Sequence, residues 1–150
     1  MAVRVQPDDF DVAAEVGKLT AGRTDIGAIV TFTGRVRSGD GAPLIASMTL
    51  EHYPGMTEAE LERIEAEASA RWKLQASLIV HRVGELKPGD NIVLVVTASA
   101  HRQDAFEAAG FLMDYLKTRA PFWKKEITAS GEGAWVEARD SDAQAVKRWT

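Results

Sequence analysis

The chain has 150 residues, no cysteine, 18 basic and 22 acidic side chains and a net charge of −4. That length fits one domain, residues 1–150, with a proper core. The missing cysteine excludes a disulfide framework, an internal thiol nucleophile and thiolate-ligated zinc, and the acidic balance disfavours nucleic acid or an anionic membrane as a bulk partner.

Val3 and Val5 mark a first strand, and Pro7 to Asp9 a turn. Asp11 is placed to cap a helix that carries Val12, Val16 and Leu19 on one face. A loop over Gly22 to Asp25 leads to GAIVTFTGRV, Gly27 to Val36, whose β-branched and aromatic content predicts a buried strand. Arg35 and Arg37 flank Val36 and would share one strand face. They are either a solvated strand end or a guanidinium fork for phosphate or carboxylate. Ser38 to Pro43, SGDGAP, reads as a flexible loop and a candidate lid. Ile45 to His52 alternates as a strand, and Tyr53-Pro54-Gly55 turns the chain. Thr57 and Glu60 predict a capping box, with Met56 and Leu61 as its hydrophobic staple. The helix they open would bury Leu61, Ile64, Ala68 and Trp72, and its run of glutamates from Glu58 to Glu67 reads as a solvated face.

Gln75 to Val83 and Asn91 to Ala100 predict two strands joined through the turn-rich GELKPGD, the second apolar enough to be central. His101 and Arg102 follow at a strand-to-helix junction, a common place for anion binding, although a histidine there also serves to satisfy backbone groups. The next helix, from about Gln103 to Arg119, would bury Phe106, Ala109, Met113 and Leu116. It ends before Pro121, since the residue ahead of a proline is disfavoured in helical geometry. Trp123 to Thr128 and Ala134 to Ala138 predict two more strands around a Gly131–Gly133 turn. Asp140 or Ser141 would cap a short helix ending at Trp149. Strand pairs alternating with helices indicate an α+β fold.

The stretch MDYLKTRAPFWKKE, Met113 to Glu126, concentrates the chemistry. Lys117 falls in the last turn of a helix and Lys124 seven positions later on an extended segment, so two ammonium groups can converge from different elements. Like charges brought together and desolvated lower a lysine pKa and make a base or nucleophile. Lysines at a helix C-terminus also simply complement its dipole, and spacing does not separate the two readings. There is no Walker loop, no GxGxxG and no GxSxG. His52, His81 and His101 lack metal-ligand spacing, so neither a metal nor a cofactor is expected. The opening MAVRVQPDDF has no long apolar run and no stretch approaches a membrane span, so a cytoplasmic location is expected.

Blocks along nearly the whole chain resemble the catalytic (large) subunit of molybdopterin synthase: VTFTGRVR, LEHYPGMTE, HRVGELKPGD, SAHRQDAFEA, MDYLKTRAPFWKKE and WVEARDSD. The resemblance implies an α/β-hammerhead fold and a homodimer that binds two small ubiquitin-like subunits as a heterotetramer. It implies transfer of two sulfurs from the partner's C-terminal Gly-Gly thiocarboxylate to cyclic pyranopterin monophosphate, which suits a chain without cysteine. The family's two essential lysines fall on Lys117 and Lys124. Its substrate-binding segments fall on Arg35, Val36 and Arg37, on His101 and Arg102, and on Lys124, Lys125 and Glu126, beside Lys117. His101 and Arg102 are expected to reach the pocket from the neighbouring subunit, and Arg139 to touch the partner's tail. The alternative is a non-catalytic anion- or peptide-binding module.

Overall fold

The apolar runs of the central strands are long because helices cover both of their faces. In the computed structural model, which describes residues 2–39, 44–136 and 139–150, β1 (Ala2–Gln6), β4 (Leu74–Arg82), β6 (Asn91–Ser99) and β2 (Ala28–Arg35) form one sheet in that order. Only β1 and β4 run parallel; β4–β6 and β6–β2 are antiparallel. On one face, α2 (Met56–Arg71) and α3 (Arg102–Arg119) set Leu61, Ile64, Ala68, Phe111, Leu112 and Leu116 against Ile79, Val93 and Val95. On the other, α1 (Val12–Thr20) sets Val12, Val16 and Leu19 against Leu78, Val80, Leu94 and Val96. Asp11 caps α1, accepting a 3.0 Å hydrogen bond from the Ala14 amide.

A second antiparallel sheet has the order β5 (Gly84–Leu86), β3 (Ile45–His52), β7 (Phe122–Thr128), β8 (Gly133–Val136). Its buried residues Met48, Leu50 and Leu86 form a small core with Val36. β5 lies inside the connection between β4 and β6, so that link also ties the two sheets together. The chain closes with α4 (Asp140–Val146) and a 3₁₀ turn over Lys147–Trp149. The mixed α+β, mostly antiparallel class is the expected one.

Several local expectations are corrected. β2 is not buried: it is an edge strand, α1 packs over β4 and β6, and Ile29 and Phe32 are left exposed. Ala109 and Leu116 of α3 are buried as expected, but Phe106 is exposed, because the rest of the inward face is Ala105, Ala108, Phe111, Leu112 and Tyr115. The capping box of α2 sits two residues earlier. Gly55, at φ 87°, is the N-cap, and its amide donates to Glu58 Oε1 at 3.2 Å. Thr57 is buried instead, its hydroxyl accepting from the Tyr53 amide and donating to the Pro121 carbonyl. The α2 glutamates are not one solvated face: Glu65 is buried and accepts from Ser77 Oγ at 2.6 Å, while Glu60 and Glu67 both pair with Arg119. The N-cap of α4 is Arg139, without a side-chain cap bond. Residues 40–43 of the candidate lid and 137–138 of the last predicted strand lie outside the described residues.

Candidate functional site

α3 stops where Pro121 forbids another helical turn: Ala120 is already extended, at φ −73° and ψ 127°. The chain then enters β7, whose alternation sends Lys124 and Glu126 to one face and Trp123 and Lys125 to the other. Two contacts pin this corner. Thr57 Oγ1 donates to the Pro121 carbonyl at 3.1 Å, and the Phe122 ring stacks on the His81 imidazole, centroids 3.8 Å apart. Lys117 on the last turn of α3 and Lys124 on β7 thereby line one cavity of about 570 Å³, within the range of small-ligand sites.

The cavity is strongly basic within an acidic protein. Arg35 and Arg37 enter from the end of β2, Arg139 from the N-cap of α4, and the two lysines from α3 and β7, against the carboxylates of Glu126 and Asp142. Val36, Met48, Leu50, Ile92 and Leu116 give it an apolar wall. Arg35 is held by the Gly89 carbonyl, which accepts from its Nε and Nη2 at 3.1 and 2.6 Å. Lys124 Nζ lies 3.6 Å from Glu126 Oε1. Lys117 is more deeply placed. Burial lowers its pKa below the ordinary lysine value; Asp142 opposes that shift, and the charges of Lys124 and Arg139 reinforce it.

His81 shares the cavity, although the sequence showed it only as one of three scattered histidines. Its side chain is buried, and Nδ1 lies 2.8 Å from the Arg82 carbonyl, which can only accept, so Nδ1 carries the proton. Burial lowers its pKa to about 4; the Arg82 hydrogen bond opposes the shift, and Lys117 and His52 add to it. A titratable residue inside the otherwise apolar run LIVH of β4 was the available signal. Asp142 and Phe122 were likewise not singled out.

Not every predicted residue joins the cavity. Lys125 faces away, its Nζ 6.0 Å from the centre of the Trp135 ring. His101 and Arg102 stand at the other end of α3, and Arg102 is 15 positions from Lys117, which at about 1.5 Å per residue is roughly 22 Å. They line a separate hollow with Gln103, Phe106 and Glu107. Among the described residues no cluster of His, Cys, Asp or Glu is placed to hold a metal ion, and no helix is long and apolar enough to cross a membrane.

The family model described as MoaE protein matches residues 5–119. A molybdopterin synthase catalytic subunit from Mesorhizobium japonicum is 62% identical over 98% of this chain and 92% of its own length. The solved molybdopterin biosynthesis MoaE protein from Burkholderia ambifaria is 55% identical, with a TM-score of 0.84 over 99% of this chain and 98% of its own. The crystal structure of molybdopterin synthase from Staphylococcus aureus is 30% identical, with a TM-score of 0.82 over 89% of this chain and 95% of its own.

Proposed function

Taking as premise that this chain belongs to the MoaE protein family, we propose that it is the catalytic subunit of a molybdopterin synthase. It moves two sulfurs from the thiocarboxylated C-terminus of a small ubiquitin-like subunit onto cyclic pyranopterin monophosphate, forming the molybdopterin dithiolene in the cytoplasm. The observation that carries this reading is the meeting of Lys117 and Lys124 at one basic cavity, in a chain with no sulfur nucleophile of its own.

The roles follow from charge and burial. Arg35 and Arg37 hold the substrate phosphate by charge-assisted hydrogen bonds, with Val36 between them closing the apolar wall. His101 and Arg102 are too distant within one chain, so they serve the cavity of a second copy in a homodimer. Exposed Ile29 and Phe32 on β2 and Phe106 on α3 offer apolar surface for that copy. Lys117, whose neutral form burial favours, is the acid/base or covalent partner at the carbon that sulfur attacks. Lys124, oriented by Glu126, holds the thiocarboxylate and stabilises developing negative charge. Each C–S bond replaces a C–O bond of the substrate, one oxygen leaving with the phosphate as its ring opens and the other as water. Each sulfur is left acylated by the partner's tail, and water then cleaves the acyl–sulfur bond to release the carboxylate. Arg139, exposed at the N-cap of α4, contacts the incoming tail. Lys125 lies on the far face of β7 and is assigned to partner contact rather than to the substrate.

The test is a reconstitution of the purified chain with a thiocarboxylated small subunit and cyclic pyranopterin monophosphate, following dithiolene. Product from the native chain, with little or none from Lys117→Ala and Lys124→Ala, is the expected result. Undiminished product from both variants would remove the lysine roles. No product from the native chain with a competent partner would favour a non-catalytic binding module.

A further inference from the structure

We propose that His81 is a specificity-determining residue of this cavity, its Nε2 accepting a hydrogen bond from a ring N–H of the bound heterocycle. The inference rests on the synthase reading of the site and names a recognition contact within it.

The imidazole is held on two sides. Its face stacks on Phe122 at 3.8 Å with the planes 17° apart, and Nδ1–H donates to the Arg82 carbonyl at 2.8 Å. With Nδ1 committed as donor, Nε2 keeps its lone pair and is an acceptor alone. Among the described residues nothing hydrogen-bonds Nε2, although the side chain is about 96% removed from solvent and lines the cavity (4% exposed). Nε2 opens on the cavity, and a ligand that closes it off from water without supplying a donor leaves it unpaired, so one that brings a donor there is favoured.

The surroundings say which kind of donor. The cations of the cavity supply donors and suit the phosphate end of a ligand. Of the two carboxylates, Glu126 is already paired with Lys124. His81 instead stacks on Phe122, and the same cavity is lined by the apolar Met48, Leu50 and Leu116, against which a flat heterocycle loses least by leaving water. A neutral acceptor beside that wall reads a neutral N–H. Burial holds the ring neutral, with a pKa lowered to about 4, which suits a standing acceptor.

The experiment compares the native chain with His81→Phe, which keeps the stack and removes the acceptor, and His81→Gln, which restores an acceptor of similar reach. Calorimetric titration of cyclic pyranopterin monophosphate is expected to show Kd rising about tenfold or more in His81→Phe and largely recovering in His81→Gln. In turnover with the thiocarboxylated partner, KM should rise while kcat changes little. A second measurement does not need the variants to fold. In ¹⁵N-histidine-labelled native chain, the His81 Nε2 resonance should start at the position of an unprotonated acceptor and move upfield on adding the substrate. A well-folded His81→Phe that binds like the native chain, or an Nε2 resonance that the substrate does not move, overturns the proposal and leaves the synthase reading standing. A native chain that makes no dithiolene with a competent partner defeats the synthase reading, and this assignment with it.

Discussion

Acidification of the native chain and of His81→Phe isolates the energetics of the buried imidazole. The His81 pKa is lowered from 6.5 to about 4, first by burial, with Lys117 and His52 adding to it. The folded value lies below the unfolded one, so between those pH values the unfolded chain binds the proton first. Stability from the neutral ring is complete above about pH 6.5 and is lost as pH falls through about 4. A gap of about 2.5 units at about 1.4 kcal/mol per unit makes this about 3 kcal/mol, a large share of a typical domain's 5–15 kcal/mol. Urea unfolding followed by the fluorescence of the four tryptophans, at steps from pH 7 to 4, measures it. His81→Phe removes this dependence and adds an offset that does not vary with pH. Buried Glu65 titrates with the opposite sign, its pKa raised chiefly by burial, but it is present in both chains and cancels in the difference. Native stability should therefore fall about 3 kcal/mol more steeply than that of the variant across the window. Parallel curves would refute the claim that His81 is buried neutral.

Lys117→Met should cut dithiolene formation by about 100-fold or more in single-turnover assays, while the thermal midpoint holds or rises, because a desolvated cation is removed. Gly27→Ala should destabilise by about 1–3 kcal/mol in urea, since an added Cβ would stand 2.2 Å from the Ala100 carbonyl oxygen. Asp11→Ala, which removes the α1 cap far from the cavity, should cost about 1 kcal/mol of stability and leave turnover unchanged.

The features legible in the sequence were those governed by local rules. Asp11 capped its helix, Pro121 ended α3, and the apolar runs of β4 and β6 became central strands. Lys117 and Lys124 could be set on two elements because a proline lies between them. What stayed hidden depends on tertiary neighbours. Whether GAIVTFTGRV is buried depends on which strands α1 covers, and α1 covers β4 and β6. The shift in the α2 cap depends on Thr57, whose hydroxyl is drawn away to Pro121, 64 positions along. His81 enters the cavity only because β4 passes beneath β7 at Phe122, and no spacing in the chain records that crossing.

A basic cavity on a protein of net charge −4 needs its cations kept apart from the surrounding carboxylates, and the end of α3 shows how this is arranged. Arg119, two residues beyond Lys117, turns to α2, where Glu60 and Glu67 engage it at 2.7 and 3.0 Å. That pairing commits the Arg119 guanidinium to α2 rather than to the cavity lining. On the preceding turn Asp114 is occupied as well, accepting from Arg148 and from Trp149 Nε1, both at 2.7 Å. Trp149 meets Trp72 and Phe111 edge-on, so the terminal segment is anchored one helical turn from Lys117. The same anchor holds α4, which brings Arg139 and Asp142 to the cavity. Lys117 is left among Lys124, Arg139 and one opposing carboxylate, Asp142. Its lowered pKa is set first by burial, with the charges of Lys124 and Arg139 adding to it against that one carboxylate.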